Sequence, residues 1–111
     1  MSSPARTPAP PYYAVIFTSV QTLDIDGYAW MAKRMEQLAS EQPGFLGIES
    51  ARRDLGITVS YWRDLPSIQA WKQHVDHQVA QRMGKERWYQ RYAIRIARVE
   101  AAYEFTRPTK V

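Results

Sequence analysis

The chain has 111 residues, 45% hydrophobic and 23% charged, enough for one hydrophobic core and not two. No apolar run approaches the ~20 residues of a membrane-spanning helix, and without cysteine there is neither a disulfide framework nor a thiolate metal site. The net charge of +4 comes from 15 basic residues set against 11 acidic ones, scattered rather than gathered into the basic stripe of a nucleic-acid footprint, so neither nucleic acid nor membrane is an expected partner.

The N-terminus lacks the apolar core of a signal peptide, and a cytoplasmic location is expected. Residues 1–11 carry Pro4, Pro8, Pro10 and Pro11 among small polar residues, which predicts a disordered Pro-rich tail. Residues 12–105 are expected to form a single domain and residues 106–111 a C-terminal tail. The run Tyr12 to Gln21 is rich in strand formers, with Tyr13, Val15 and Phe17 on one alternating face and Tyr12, Ala14 and Ile16 on the other, so the strand needs cover on both sides. Asp24 or Asp26 can cap the helix that follows. With Asp26 as the cap, Ile25 and Trp30 occupy the positions of a hydrophobic staple. Tyr28, Met31, Ala32, Met35, Leu38 and Ala39 recur at helical spacing, and Pro43-Gly44 stops the helix.

Phe45 to Arg52 predicts a second strand, Arg53 to Gly56 a hairpin connection and Ile57 to Trp62 a third strand. Asp64 can cap a second helix that carries Pro66 in its first turn, where a missing N–H does no harm. Ile68, Val75, Val79 and Met83 then face the core. Gly84 is a stop, KERWYQR a short turn or irregular helix, and a last strand runs from about Arg91 to Val99, with AAYEFTRP a further extended piece. The order β-α-β-β-α-β defines an α+β domain of ferredoxin-like topology with both helices on one face of an antiparallel sheet. The opposite face is left apolar and bare, which predicts a homodimer with two sheets packed face to face.

On the second helix Trp71 lies at the edge of the apolar stripe, and His74, His77 and Gln81 lie beyond it on the same side. An indole offers a flat surface to an aromatic ligand and an imidazole moves protons near neutral pH, so Trp71, His74 and His77 are the candidate catalytic residues, with His74 the preferred base. Tyr13, Phe17, Tyr61, Trp62 and Gln81 are candidate substrate contacts. Alternation leaves open whether the four sheet residues line a pocket or a dimer interface, and the same holds for Trp88, Tyr89 and Tyr92. The two histidines have no third ligand at matching spacing and no HExxH pattern, so no metal site is expected. Thr58 and Ser60 stand where an RNA-recognition sheet of this topology would want stacking rings.

The segments PGFLGIES, GITVSYW, SIQAWKQHVDH and RWYQRYAIRIARVEAAYEF resemble the antibiotic biosynthesis monooxygenase domain family and its haem-degrading relatives, over Tyr12 to Phe105. The resemblance implies a ferredoxin-like protomer in a dimeric α+β barrel. It also implies one of two activities: oxidation of polycyclic phenolic or anthrone-type substrates by O2 without metal or flavin, or haem binding through a histidine with ring opening. In both kinds a tryptophan of the second helix works beside an asparagine. Trp71 matches the tryptophan, but the chain contains no asparagine, and the position corresponding to the haem-ligating histidine falls near Gln81. An asparagine amide both donates and accepts, so a pocket without it needs another polar handle, for which histidine, glutamine, tyrosine or serine could substitute. The leading expectation is a cofactor-independent monooxygenase acting on an aromatic or quinone-type small molecule. The alternatives are a haem-binding, haem-degrading monooxygenase and a non-catalytic ligand-binding dimer.

Overall fold

The computed structural model describes residues 3–76 and 84–109. In chain order it has β1 (Tyr12–Gln21), α1 (Tyr28–Ser40), β2 (Phe45–Arg52), β3 (Gly56–Trp62), α2 (Leu65–Asp76), a π-helical turn (Gly84–Trp88) and β4 (Tyr89–Val99). The strands form one sheet in the order β2-β3-β1-β4, with every neighbouring pair antiparallel. This is the ferredoxin-like α+β fold.

The register decides what alternation left open. Tyr13 pairs with Trp62 and Arg98, Val15 with Ser60 and Ile96, and Phe17 with Thr58 and Ile94, and opposed residues share a face. The buried cluster of Ala39 from α1, Trp62 from β3 and Ile68 from α2, with Tyr13, Val15, Phe45 and Trp71 packed against it, marks that face as the one under the helices. Tyr12, Ala14, Ile16, Val59, Tyr61, Arg91 and Arg95 stand on the other face. Trp62 is fully buried; its indole N–H donates to Ser60 Oγ at 2.9 Å, and Phe45 meets its ring edge-on with centroids 5.5 Å apart. Satisfying the one polar atom lets the whole indole act as core.

The second helix starts as expected: Asp64 Oδ1 accepts from the backbone N–H of Ser67 at 2.8 Å. Hydrogen bonds from Ser67, hydroxyl first, hold the Asp64 carboxyl below the usual carboxylate range. Gly44 sets where this helix sits. Its φ of 85° is left-handed, its carbonyl accepts from Arg63 N at 2.7 Å, and a Cβ there would lie 2.6 Å from Ser67 Cβ. The first helix departs from expectation. Gly27, at φ 81°, is its N-cap with no side-chain cap bond, and Ile25 and Trp30 are 47% and 68% exposed, so no staple forms. The Asp24 carboxylate is held instead by Arg87 through two contacts of 3.1 Å, and the Asp26 backbone carbonyl accepts the Trp88 indole N–H at 2.9 Å. These bonds tie the α1 entrance to the π-helical turn.

Part of the N-terminal segment is anchored on the face away from the helices. Ala5 N donates to Glu49 Oε2 at 2.7 Å, and Thr7 Oγ1 and Tyr12 Oη are 2.8 Å apart. Tyr12 and Ala14 are only 4% exposed as a result of what gathers over that end of the sheet. At the other terminus residues 100–109 form no regular structure and are exposed throughout. The radius of gyration, 15.2 Å, exceeds the roughly 13 Å of a compact chain of this length.

Candidate functional site

One turn after the core residue Ile68, α2 lays the Trp71 indole against Trp62, with ring centroids 6.0 Å apart and planes 26° from parallel. Three residues further on, His74 stacks on Trp71 at 5.6 Å and 21°. The spacing 68-71-74 follows one helix face, so the rings form a column from the core toward the end of the helix. His74 Nε2 is buried without a hydrogen-bond partner among the described residues. An orphaned buried nitrogen costs about 1–3 kcal/mol, and it is the feature of this column that packing alone does not explain.

Of the expected sheet contacts, Tyr13 and Trp62 share the core with Trp71. Phe17 lies on the same face but in a second aromatic group, with Tyr89 at 5.4 Å edge-on and Tyr92 at 5.4 Å stacked. Tyr61, left open between pocket and interface, is placed by the register on the opposite face, away from Trp71, where its hydroxyl donates to Glu49 Oε1 at 2.5 Å. Burial, then the Glu49 carboxylate, push its phenol up to about 12. His77 and Gln81 lie outside the described residues. The open indole platform expected at Trp71 is also not what the structure shows, since both rings stacked on it belong to the protein.

The second group was not legible as a unit in the sequence. Tyr28 of α1 meets Trp88 at 5.7 Å and Tyr89 at 5.8 Å, both edge-on, and burial, then the Tyr28 hydroxyl, raise the Tyr89 phenol far above its ordinary range. The Arg52 guanidinium donates to the Ser19 hydroxyl and carbonyl and lies 5.7 Å over the Tyr28 ring. Gly56 makes room for it, as a Cβ there would sit 2.6 Å from Arg52 Nε. The available signal was an arginine paired across the hairpin with a glycine, Arg52 with Gly56.

Ile94 and Ile96 of β4 are 53% and 52% exposed, although they stand beside Phe17 and Val15 on the helix-facing side. The described helices therefore leave an apolar strip uncovered along β4. A separate open depression of about 400 Å³ lies between α1 and β2, lined by Lys33, Glu36, Gln37, Ser40, Phe45 and Ile48. Trp71 and His74 do not line it. Among the described residues no three His, Asp or Glu side chains gather as a metal site, and no helix is long and apolar enough to cross a membrane. As placed, His74 offers haem no axial ligand, since its Nε2 is buried beside Trp71.

The fold and the site together define a small ferredoxin-like α+β protein whose helix-facing side ends in an indole-imidazole stack. The chain belongs to the antibiotic biosynthesis monooxygenase family, whose model matches residues 26–83. It is 50% identical over 98 residues to the uncharacterized protein YqjZ of Bacillus subtilis, covering 86% of each chain. It is 31% identical over 97 residues to the jasmonate monooxygenase ABM of Pyricularia oryzae, covering 81% of this chain and 44% of that longer one. Among solved structures, a Nitrosomonas europaea protein of unknown function superposes with a TM-score of 0.65 at 14% identity, over 86% of this chain and 96% of that one, a likeness of fold.

Proposed function

We propose that this protein is an O2-dependent monooxygenase that oxidises an aromatic or quinone-type small molecule without metal or flavin, as a homodimer. The observation that carries the reading is the Nε2 of His74, buried and without a partner among the described residues, at the end of the Trp62–Trp71–His74 stack. The exposed strip of Ile94 and Ile96 on the same side of the sheet offers an apolar floor for a planar substrate. Family membership supports the reaction class, as does the monooxygenase activity in the name of the Pyricularia relative.

In this mechanism a substrate methylene beside an aryl ketone brings a single hydrogen to His74, and a small turn of the imidazole aims Nε2 at it. His74 takes the proton, Trp71 holds the resulting carbanion against its edge, and the carbanion gives an electron to O2. The substrate radical and superoxide recombine to form a C–O bond, and the resulting peroxide takes the proton back from His74. Loss of the remaining hydrogen on that carbon as a proton, with cleavage of the O–O bond, releases water and turns the anthrone into a quinone. One O2 supplies the carbonyl oxygen and the oxygen of the water. Desolvation by the apolar strip protects the intermediate. The dimer pairs the two faces that lie away from the helices, on which Val20 and Ile57 are 37% and 43% exposed.

The test is O2 uptake with 1,8-dihydroxyanthrone, expected at one O2 per quinone and slowed on the order of a hundredfold in His74→Ala. Turnover unchanged by that substitution contradicts the assignment. A second reading, a non-catalytic ligand-binding dimer, is favoured by the protein rings already stacked on Trp71. It predicts quenching of tryptophan fluorescence by hydroxyanthraquinones with no O2 uptake.

A further inference from the structure

At the level of Ser19 the four strands set Arg52, Gly56, Ser19 and Tyr92 in a row on the helix-facing side of the sheet. Gly56 has no side chain, so Arg52 crosses its strand and donates to the hydroxyl and carbonyl of buried Ser19. Both partners are neutral. No carboxylate among the described residues pairs with this guanidinium, whereas Arg63 and Arg87 each hold an aspartate. Two of its five N–H groups are used on Ser19, and the Tyr28 ring lies 5.7 Å away on its other flank. A half-buried cation held only by a hydroxyl, a carbonyl and a ring keeps its charge uncompensated, in surroundings that strengthen any contact with an anion. Two further features point to a ligand. The Tyr89 hydroxyl donates to Tyr28 Oη at 3.4 Å, so the Tyr28 hydroxyl keeps its own proton to give, and no acceptor among the described residues takes it. The exposed strip of β4 leads to the same place: Ile96, Ile94 and Tyr92 follow at every second residue, and Phe17 stacks on Tyr92 at 5.4 Å.

We propose that Arg52 and Tyr28 bind the carboxylate of a planar aromatic acid whose rings lie along Ile94 and Ile96. This rests on the site proposed above and names the class of its substrate. The guanidinium fork matches the two carboxylate oxygens, and the Tyr28 hydroxyl donates one bond more. Phe17 and Tyr92 flank the ring nearest the acid group. Four residues of β4 separate Ile96 from Tyr92, about 14 Å of strand, which accommodates three fused rings and an acid group. A substrate without the charge leaves Arg52 unmatched, so the site selects on charge as well as on shape. The net charge of +4 draws an anion toward it.

The experiment is quenching of tryptophan fluorescence by two ligands that share their rings, 1,8-dihydroxyanthraquinone and its 3-carboxylate. On the full chain the carboxylate is expected to bind about tenfold to a hundredfold more tightly. Arg52→Met should erase that preference, and Tyr28→Phe should reduce it about threefold or more. Circular dichroism checks the fold of each variant. The readout is a ratio of two affinities within one variant, so a loosened structure weakens both ligands and leaves the ratio unchanged. Equal affinity on the full chain, no binding of the carboxylate, or a preference that survives Arg52→Met overturns the inference. O2 uptake with the corresponding anthrones keeps the two readings apart. A carboxylate preference without O2 uptake overturns the reaction proposed above and leaves the acid site standing, whereas uptake with equal KM for the acid and the neutral anthrone overturns the acid site alone.

Discussion

Gly44→Ala tests how α2, and with it Trp71, is held. The substitution puts a side chain on a left-handed residue at φ 85°, which costs about 1 kcal/mol. The new Cβ also overlaps Ser67, whose own Cβ would be 2.6 Å away. Ser67 is 8% exposed and its N–H is bound to the Asp64 cap, so it can retreat only by loosening a cap worth about 1 kcal/mol and by shifting the first turn of α2. The two effects add to roughly 2–4 kcal/mol. In urea denaturation the midpoint should fall accordingly, with the slope unchanged. Adding Ser67→Gly to Gly44→Ala removes the obstructing side chain and should recover the steric part, beyond what Ser67→Gly alone predicts. Gly44→Ala within 0.5 kcal/mol of the parent, or a double variant no better than additive, would refute the reasoning.

Further outcomes follow from the same geometry. The Tyr61 phenol, raised from 10.0 to about 12, binds its proton more tightly in the folded state, so its contribution is complete below pH 10 and is lost as pH rises toward 12. After allowance for solvent screening the loss is about 1–2 kcal/mol; Glu49→Gln should lower the phenolate midpoint read at 295 nm, and an unmoved midpoint would show the carboxylate is not a cause. Trp62→Ala removes the fully buried indole and should cost about 3–5 kcal/mol in thermal unfolding, a loss under 1.5 kcal/mol contradicting its place at the core. Haemin mixed with the protein should give the same absorption spectrum with His74→Ala as with the parent, and a Soret shift that depends on His74 would reverse the conclusion on haem.

Much of the architecture was legible because period and punctuation agreed. β1 and β2 have their expected ends, and Asp64-Leu65-Pro66 announced the second helix. What failed was local chemistry decided at long range. Asp24 looked like a cap, but Arg87, more than sixty residues away, claims its carboxylate, and Gly27 takes the cap position. For the site, the helix wheel correctly set His74 beside Trp71, since that spacing is intrahelical. It could not show that Trp62 and His74 would themselves occupy the stacking surfaces of Trp71. Tyr61 was ambiguous because a strand residue next to an inward one is always outward, and only pairing reveals which is which. The Arg52–Ser19–Tyr28 contact joins three elements and left only the facing glycine as a trace.

Whether His74 Nε2 meets a ligand beside Trp71 separates a catalytic stack from a packed one. The most direct measurement is the NMR signal of the His74 ring during titration with 1,8-dihydroxyanthraquinone, the stable product of the proposed reaction. Saturable movement of that signal, abolished by Trp71→Ala with the fold intact, is the predicted result. A His74 ring that does not respond at saturating ligand, or responds identically without the indole, contradicts the claim.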